Sequence, residues 1–159
     1  MSAAQVPSGM APLATLLQRF LARLIDLVVL IVLDAVVSLA LLHGNMGHPA
    51  DAGSGRQLLV GVLTFVLYFA YEGGMTTARG QTLGKMVLRI RAARLDDGAV
   101  PSGAVGWRRA AVYALPGAFV SILLGPLFWL VNSLWCVWDR PYRQCLHDKA
   151  AKTVVVAAV

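Results

Sequence analysis

Charge is what this sequence has least of. Only 14% of its 159 residues are Asp, Glu, Lys or Arg, where a soluble domain carries about a quarter, and 58% are hydrophobic. With a mean hydropathy of +0.68, the chain reads as an integral membrane protein forming one compact bundle. Cysteine is scarce as well, with two residues. Cys136 and Cys145 have neither metal-ligand spacing nor a secreted context, so they read as a free, reduced pair. No basic stretch precedes Arg19, and the apolar run behind it holds two acids. That pattern argues for a retained first span rather than a cleaved signal peptide, although Ser38-Leu39-Ala40 loosely mimics a cleavage site. A basic helix with interleaved aromatics is missing too. The net charge of +6 therefore reads as loop charge that orients membrane segments, and no nucleic-acid partner is expected. No nucleophile–base pair or ligand set is apparent, so neither an enzyme nor a cofactor or metal site is expected.

What the sequence does have is acid inside an apolar stretch. Residues 24–42 are apolar except for Asp26, Asp34 and Ser38, with Arg19 and Arg23 just ahead. A carboxylate in a membrane helix costs a few kcal/mol on insertion scales, tolerable only if it faces protein or trapped water. At about 100° per residue, with Arg19 at zero, Arg23 lies near 40°, Asp26 near 340° and Asp34 near 60°. One stripe carries all four, and it is expected to face inward.

Residues 1–12, of Pro, Gly, Ser and Ala, read as a disordered tail, and 13–159 as a single membrane domain. The first helix is expected from about Leu13 to before His43-Gly44-Asn45, then a Gly-, Pro-, Asn- and Asp-rich loop to Gly55. A second helix should run from about Arg56 to Tyr71 and stop at Gly73-Gly74. Its Gly61, Thr64, Tyr68 and Glu72 share one face, a partner for the first stripe. Basic alternation over Met86-Val87-Leu88-Arg89-Ile90-Arg91 reads as a half-buried strand before an Asp96-Asp97-Gly98 turn. A β element near 86–95 is expected to pair with the β-branched 153–159.

The last apolar block, 110–138, is either one long span or a helical hairpin, interrupted at Pro116-Gly117 and Gly125-Pro126. A hairpin places thirteen of the fourteen Lys and Arg on one face, so the positive-inside rule favours it and puts both termini in the cytoplasm. The fold class is thus an all-α membrane bundle: two transmembrane helices, a C-terminal apolar hairpin and a small cytoplasmic β element.

These residues form a recognisable pattern. Arg19-x-x-Ala22-x-x-x-Asp26 opens the first span, and Gly80-Gln81-Thr82-Leu83-Gly84-Lys85 follows the second. Asp97-Gly98, Arg109 and the closing Leu146-His147-Asp148-Lys149-Ala150-Ala151-Lys152-Thr153-Val154-Val155 complete it. Together they resemble the RDD family of bacterial membrane proteins, named for one arginine and two aspartates. By position the arginine is Arg19 and the first aspartate Asp26; Asp148 is the choice for the second, with Asp139 the alternative. The resemblance implies the bacterial cytoplasmic membrane and a role in transport with a poorly defined ligand. Asp34 lies outside the pattern.

The candidate charge network is therefore Arg19, Arg23, Asp26, Asp34, Glu72, Arg109, Asp139 and Asp148, serving either transport or helix packing. Glu72 opposes the dipole at a helix end, so it should cap an arginine from the basic loop or receive protons. Asp148 is expected to take Arg108 or Arg109. Gly80 to Lys85 is no phosphate loop, since Arg79 stands where Gly is needed and Met86 where Ser or Thr is needed. It reads as a turn packing a basic segment under the bundle, against anionic lipid headgroups. The functional expectation is cation exchange, a proton against sodium, through Asp26 or Asp34 in a homo-oligomer; the rival is a scaffold whose charges only hold helices and partners. A water-accessible cleft at Asp26 favours the first, and fully paired charges the second.

Overall fold

The computed structural model describes residues 10–42, 53–114 and 124–158. Of the expected tail over residues 1–12, residues 1–9 lie outside the described residues, as do the loop through 43–52 with His43 and His48 and Pro116-Gly117, whereas residues 10–12 depart from the expectation and pack against the C-terminal strand pair. In chain order the described elements are α1 (Leu16–Leu41), α2 (Ser54–Arg79), α3 (Leu83–Val87), β1 (Ile90–Arg94), α4 (Ala104–Ala114), α5 (Leu124–Trp138), α6 (Leu146–Ala151) and β2 (Thr153–Ala157).

Helix α1 starts where Thr15 and Gln18 form a reciprocal capping box that satisfies first-turn N–H groups. At 26 residues each, α1 and α2 are about 39 Å long, enough for a hydrocarbon core of about 30 Å. Only 11% of the most apolar window of α1 is buried, and 28% of that of α2. Leu24, Val28 and Ile31 on α1 and Leu59, Val62 and Val66 on α2 point outward. A core helix of a water-soluble protein would hide such a face, so both helices are candidate membrane spans.

The expected end of the second helix at Gly73-Gly74 is overturned, since α2 runs on to Arg79 and closes on Gly80 with φ +70°. The glycine serves close approach instead. A Cβ at Gly73 would lie 2.3 Å from the Trp107 ring of α4, so Gly73 lets α4 pack against α2. The expected strand start near 86 is corrected as well. Met86 and Val87 belong to α3, and Arg89 turns the chain at φ 52° before β1 begins. Alternation was a weak guide here because Asp26 holds α3: its Oδ1 accepts from Gly84 N and its Oδ2 from the Thr82 hydroxyl.

Strands β1 and β2 pair antiparallel, with Ile90 opposite Ala157 and Arg94 opposite Thr153. Ala92, Ala93, Val154 and Val156 are fully buried there. Met10 and Ala11 pack on this core, and Leu13 bridges Val156. The segment before α1, the link after α3 and the C-terminal strand therefore meet at one end of the molecule. At the other end Val37, Leu42 and Val60 close α1 against α2.

Block 110–138 is divided between α4, which begins earlier at Ala104, and α5. Gly125-Pro126 lies in the first turn of α5 and is not the turn itself. Trp129 Nε1 donates to Tyr113 O at 2.8 Å and the two rings stack at 6.3 Å, so α4 and α5 touch.

A Cβ at Gly84 would meet Ala22 O at 2.0 Å, with backbone on both sides. Gly84→Ala should therefore push α3 off α1 and cost about 1–3 kcal/mol. Gly74→Ala, where nothing lies within 4 Å, should stabilise by up to about 1 kcal/mol, because alanine is the better helix former. Unfolding in detergent micelles compares the two, and equal effects would contradict the packing account.

Candidate functional site

The sequence-predicted charges converge unevenly. Arg19, Asp26, Glu72, Arg109 and Asp148 are buried, and Arg23 is nearly so. Glu72 stands at the centre, fully buried, although it sits within α2 rather than at its end. Both its oxygens accept from Arg23 Nη1 at 3.1 Å, and Oε1 also faces Lys85 Nζ and Arg109 Nη1 at 3.5 Å. Cations from α1, α3 and α4 thus share one carboxylate from α2. The arginines that reach Glu72 are Arg23 of α1 and Arg109 of α4, where one from the basic loop was expected.

Asp148 Oδ1 accepts from Arg109 Nε at 2.9 Å and Nη2 at 2.8 Å, while its Oδ2 caps α6 by accepting from Cys145 N. Arg108, the other expected partner, is exposed. Burial opposes charge on Asp148, but the Arg109 guanidinium, with Arg19 behind it, holds its carboxyl well below the usual range. His147 Nε2 lies 3.2 Å from Arg23 Nη2 and 3.0 Å from Arg109 Nη2. Guanidinium only donates, so Nε2 must accept, and the proton sits on Nδ1, facing Asn132 Oδ1 at 2.9 Å. Burial pushes the imidazole well below its ordinary value against the pull of Asp148, and Arg109 and Arg23 push the same way. This histidine is neutral. Burial also brings Lys85 down to about 8, opposed by Glu72 and reinforced by Arg23 and Arg109.

Asp26 is fully provided for. Its oxygens accept from Tyr71 Oη at 2.9 Å, Thr82 Oγ1 at 2.6 Å and Gly84 N at 3.0 Å, while Arg23 stands off at 3.9 Å. Arg19 is the odd member. Its guanidinium donates to the carbonyls of Ala14, Arg143 and Val155, tying α1 to β2.

Two candidates lie apart. Asp139, beyond α5, pairs with Lys149 and accepts from Gln144 N. Asp34 departs from the expectation of an inward stripe: it is exposed, and it accepts from the Thr64 hydroxyl of α2 at 3.0 Å. Near 60° it sits at the stripe's edge, where α3 does not reach. The sequence reading gave no role to Tyr71, Thr82 or Lys85. A lysine between Leu83 and Met86-Val87-Leu88 was the available signal, since an isolated charge among apolar residues needs a partner.

Cys136 and Cys145 are free, buried thiols. Ligand atoms of Cys145, His147 and Asp148 lie within 4.8 Å of one another. Both nitrogens of His147 and both oxygens of Asp148 are already engaged, however, and two guanidiniums point at the same spot. A metal cation would have to displace them.

Removing one partner of a buried pair leaves an uncompensated charge, at about 3–5 kcal/mol. Asp148→Asn should cost that much, and Asp139→Asn, whose Lys149 partner is 45% exposed, less than about 1 kcal/mol. Denaturant titration in micelles measures both; similar losses would contradict the assignment of Asp148 to the core of the network.

The family model of the RDD family matches residues 13–152. No curated protein and no solved structure matches. The match takes in the buried Arg19, Asp26 and Asp148 together with both long apolar helices. This chain is a membrane protein and belongs to the RDD family.

Proposed function

We propose that this is a transport-related, multi-pass protein of the bacterial cytoplasmic membrane, in which Asp34 handles a cation or proton and the Glu72 cluster is a fixed frame. The observation that carries this reading is the contrast between two aspartates of one helix. Asp26 has three hydrogen-bond donors and no reason to release its charge. Asp34 has the Thr64 hydroxyl and an open side. A carboxylate so placed in a span costs about 2.5–3.5 kcal/mol on insertion scales, and such residues mark ion and proton pathways. Eight residues separate the two, about 12 Å along α1, so Asp34 lies deeper in the membrane than the cluster.

The topology has support in the fold. Residues 13–14, 90–94 and 153–157 meet at one end, so the chain must cross an even number of times between them. A hairpin of α4 and α5 satisfies this, and the basic residues then place both termini in the cytoplasm. Arg79, Arg108 and Arg140 are exposed near that end, where anionic headgroups would meet them. Two long helices enclose no pathway alone, so a homo-oligomer is part of the proposal. No catalytic role is assigned.

The scaffold reading has one observation in its favour: the cluster's carboxylates are hydrogen-bonded and paired, and Asp26 is not among the residues lining the cavity beside it. Proteoliposomes separate the two readings. Sodium-dependent proton flux in wild type should fall to the level of empty liposomes in Asp34→Asn. Asp26→Asn should reduce the yield of folded protein while flux per folded molecule persists. Flux unaffected by Asp34→Asn would sink the exchange mechanism, and a wild type without flux would favour the scaffold.

A further inference from the structure

The cluster leaves a positive charge over. Arg19, Arg23, Lys85 and Arg109 face Asp26, Glu72 and Asp148, with His147 neutral. The excess can be located. Arg19 is 6% exposed, and its guanidinium donates to three neutral carbonyls. Among the described residues no carboxylate forms an ion pair with it. Lys85, 3% exposed, has Glu72 only at 3.5 Å, on an oxygen also claimed by Arg23 and Arg109. Its nearer contact is the Thr82 hydroxyl at 3.2 Å.

Both under-compensated cations line the same cavity of about 30 Å³, together with Arg23 and Arg109. The lining also includes Asp148, whose charge Arg109 already takes, and the two thiols. One water needs roughly 10–15 Å³ of such space, so the cavity has room for a single-atom anion or a water pair. The tetrahedral centre and ester arms of a lipid phosphate outsize it. A metal cation would enter against four positive groups. From the cavity, its lining and the unmatched charge, we propose that a halide ion binds here as counter-ion to Arg19 and Lys85.

A halide next to Lys85 favours its ammonium form, so anion affinity and the lysine proton are linked, and binding weakens as pH rises through about 8. The groups facing Lys85 are Arg23 and Asp26 from α1, Glu72 from α2 and Arg109 from α4, while Arg19, His147 and Asp148 line the shared cavity. The thiols of Cys136 and Cys145 line the cavity too, so each pH series is repeated in the Cys136→Ser, Cys145→Ser variant, where the weakening must persist.

The test uses the full chain in zwitterionic nanodiscs, exchanged into gluconate and titrated with chloride under chlorine NMR. Saturable line broadening is expected, reversed by bromide, with affinity lowered about tenfold or more in Lys85→Met. Affinity should also drop in wild type between about pH 7 and pH 9. Absent saturation, a Lys85→Met protein that binds like wild type, or a flat pH series would overturn the proposal. If Lys85→Met does not fold, the pH series in wild type and in the serine variant decide alone. Displacement of chloride by phosphatidylglycerol in the disc would reassign the site to a lipid headgroup and also overturn it.

Discussion

Everything at the strand-bearing end of this molecule depends on one buried carboxylate. Glu72 cannot hold its charge unaided out of water, because an isolated carboxylate there costs many kcal/mol and would protonate instead. It stays ionised because Arg23, Lys85 and Arg109 surround it. Those three arrive from α1, α3 and α4, so satisfying Glu72 brings three elements to α2 at one point. Arg109 then passes the constraint on, reaching Asp148 and His147 of α6. Short contacts among so many charges require close backbones, which explains the small residues at the crossings. Ala22 faces Gly84, and Gly73 makes room for Trp107.

The distribution of apolar residues shows why polar bonds carry so much. Leucine and valine of α1 and α2 cover the outside, the face that a membrane span turns to acyl chains. Helices in lipid gain little from the hydrophobic effect when they associate, since the tails are as apolar as the side chains; packing and interhelical hydrogen bonds must do the holding. The strand pair differs. Ala92, Ala93, Val154 and Val156 bury apolar surface in the ordinary way, and Arg19 ties this conventional core to the ionic one through the Val155 carbonyl.

How much of this was legible in the sequence follows from range. Both long helices and their polar faces could be read from periodicity, because a helix face is a local property. So could the pairing of a strand near 86–95 with 153–159, from β-branching, although the observed strand begins at Ile90. Family resemblance singled out Arg19, Asp26 and Asp148. What failed was set by contacts distant in sequence. Gly73-Gly74 looks like a stop signal until Trp107 is placed against it. Met86 and Val87 look like strand until Asp26 holds the turn before them. Lys85 looks like a loop lysine until Glu72 is seen thirteen residues away in sequence on the facing helix.

Asp26 and Asp34 make the same point about function. Chemistry, helix and apolar surroundings are shared, and the angular offset between them is only about 80°. Yet Asp26 lies where α3 can deliver a hydroxyl and an N–H group, and where the Tyr71 phenol reaches it. Asp34 lies one step beyond the reach of that small helix. A carboxylate whose acceptor sites are filled by fixed donors is bound into the frame, and exchanging a proton there would undo the packing of α3 on α1. A carboxylate with a single rotatable hydroxyl beside it can change partners while every helix keeps its place. On the proposed function, the division of labour along α1 follows from where α3 ends, and α3, with five residues, separates the framed end of the span from the end that exchanges.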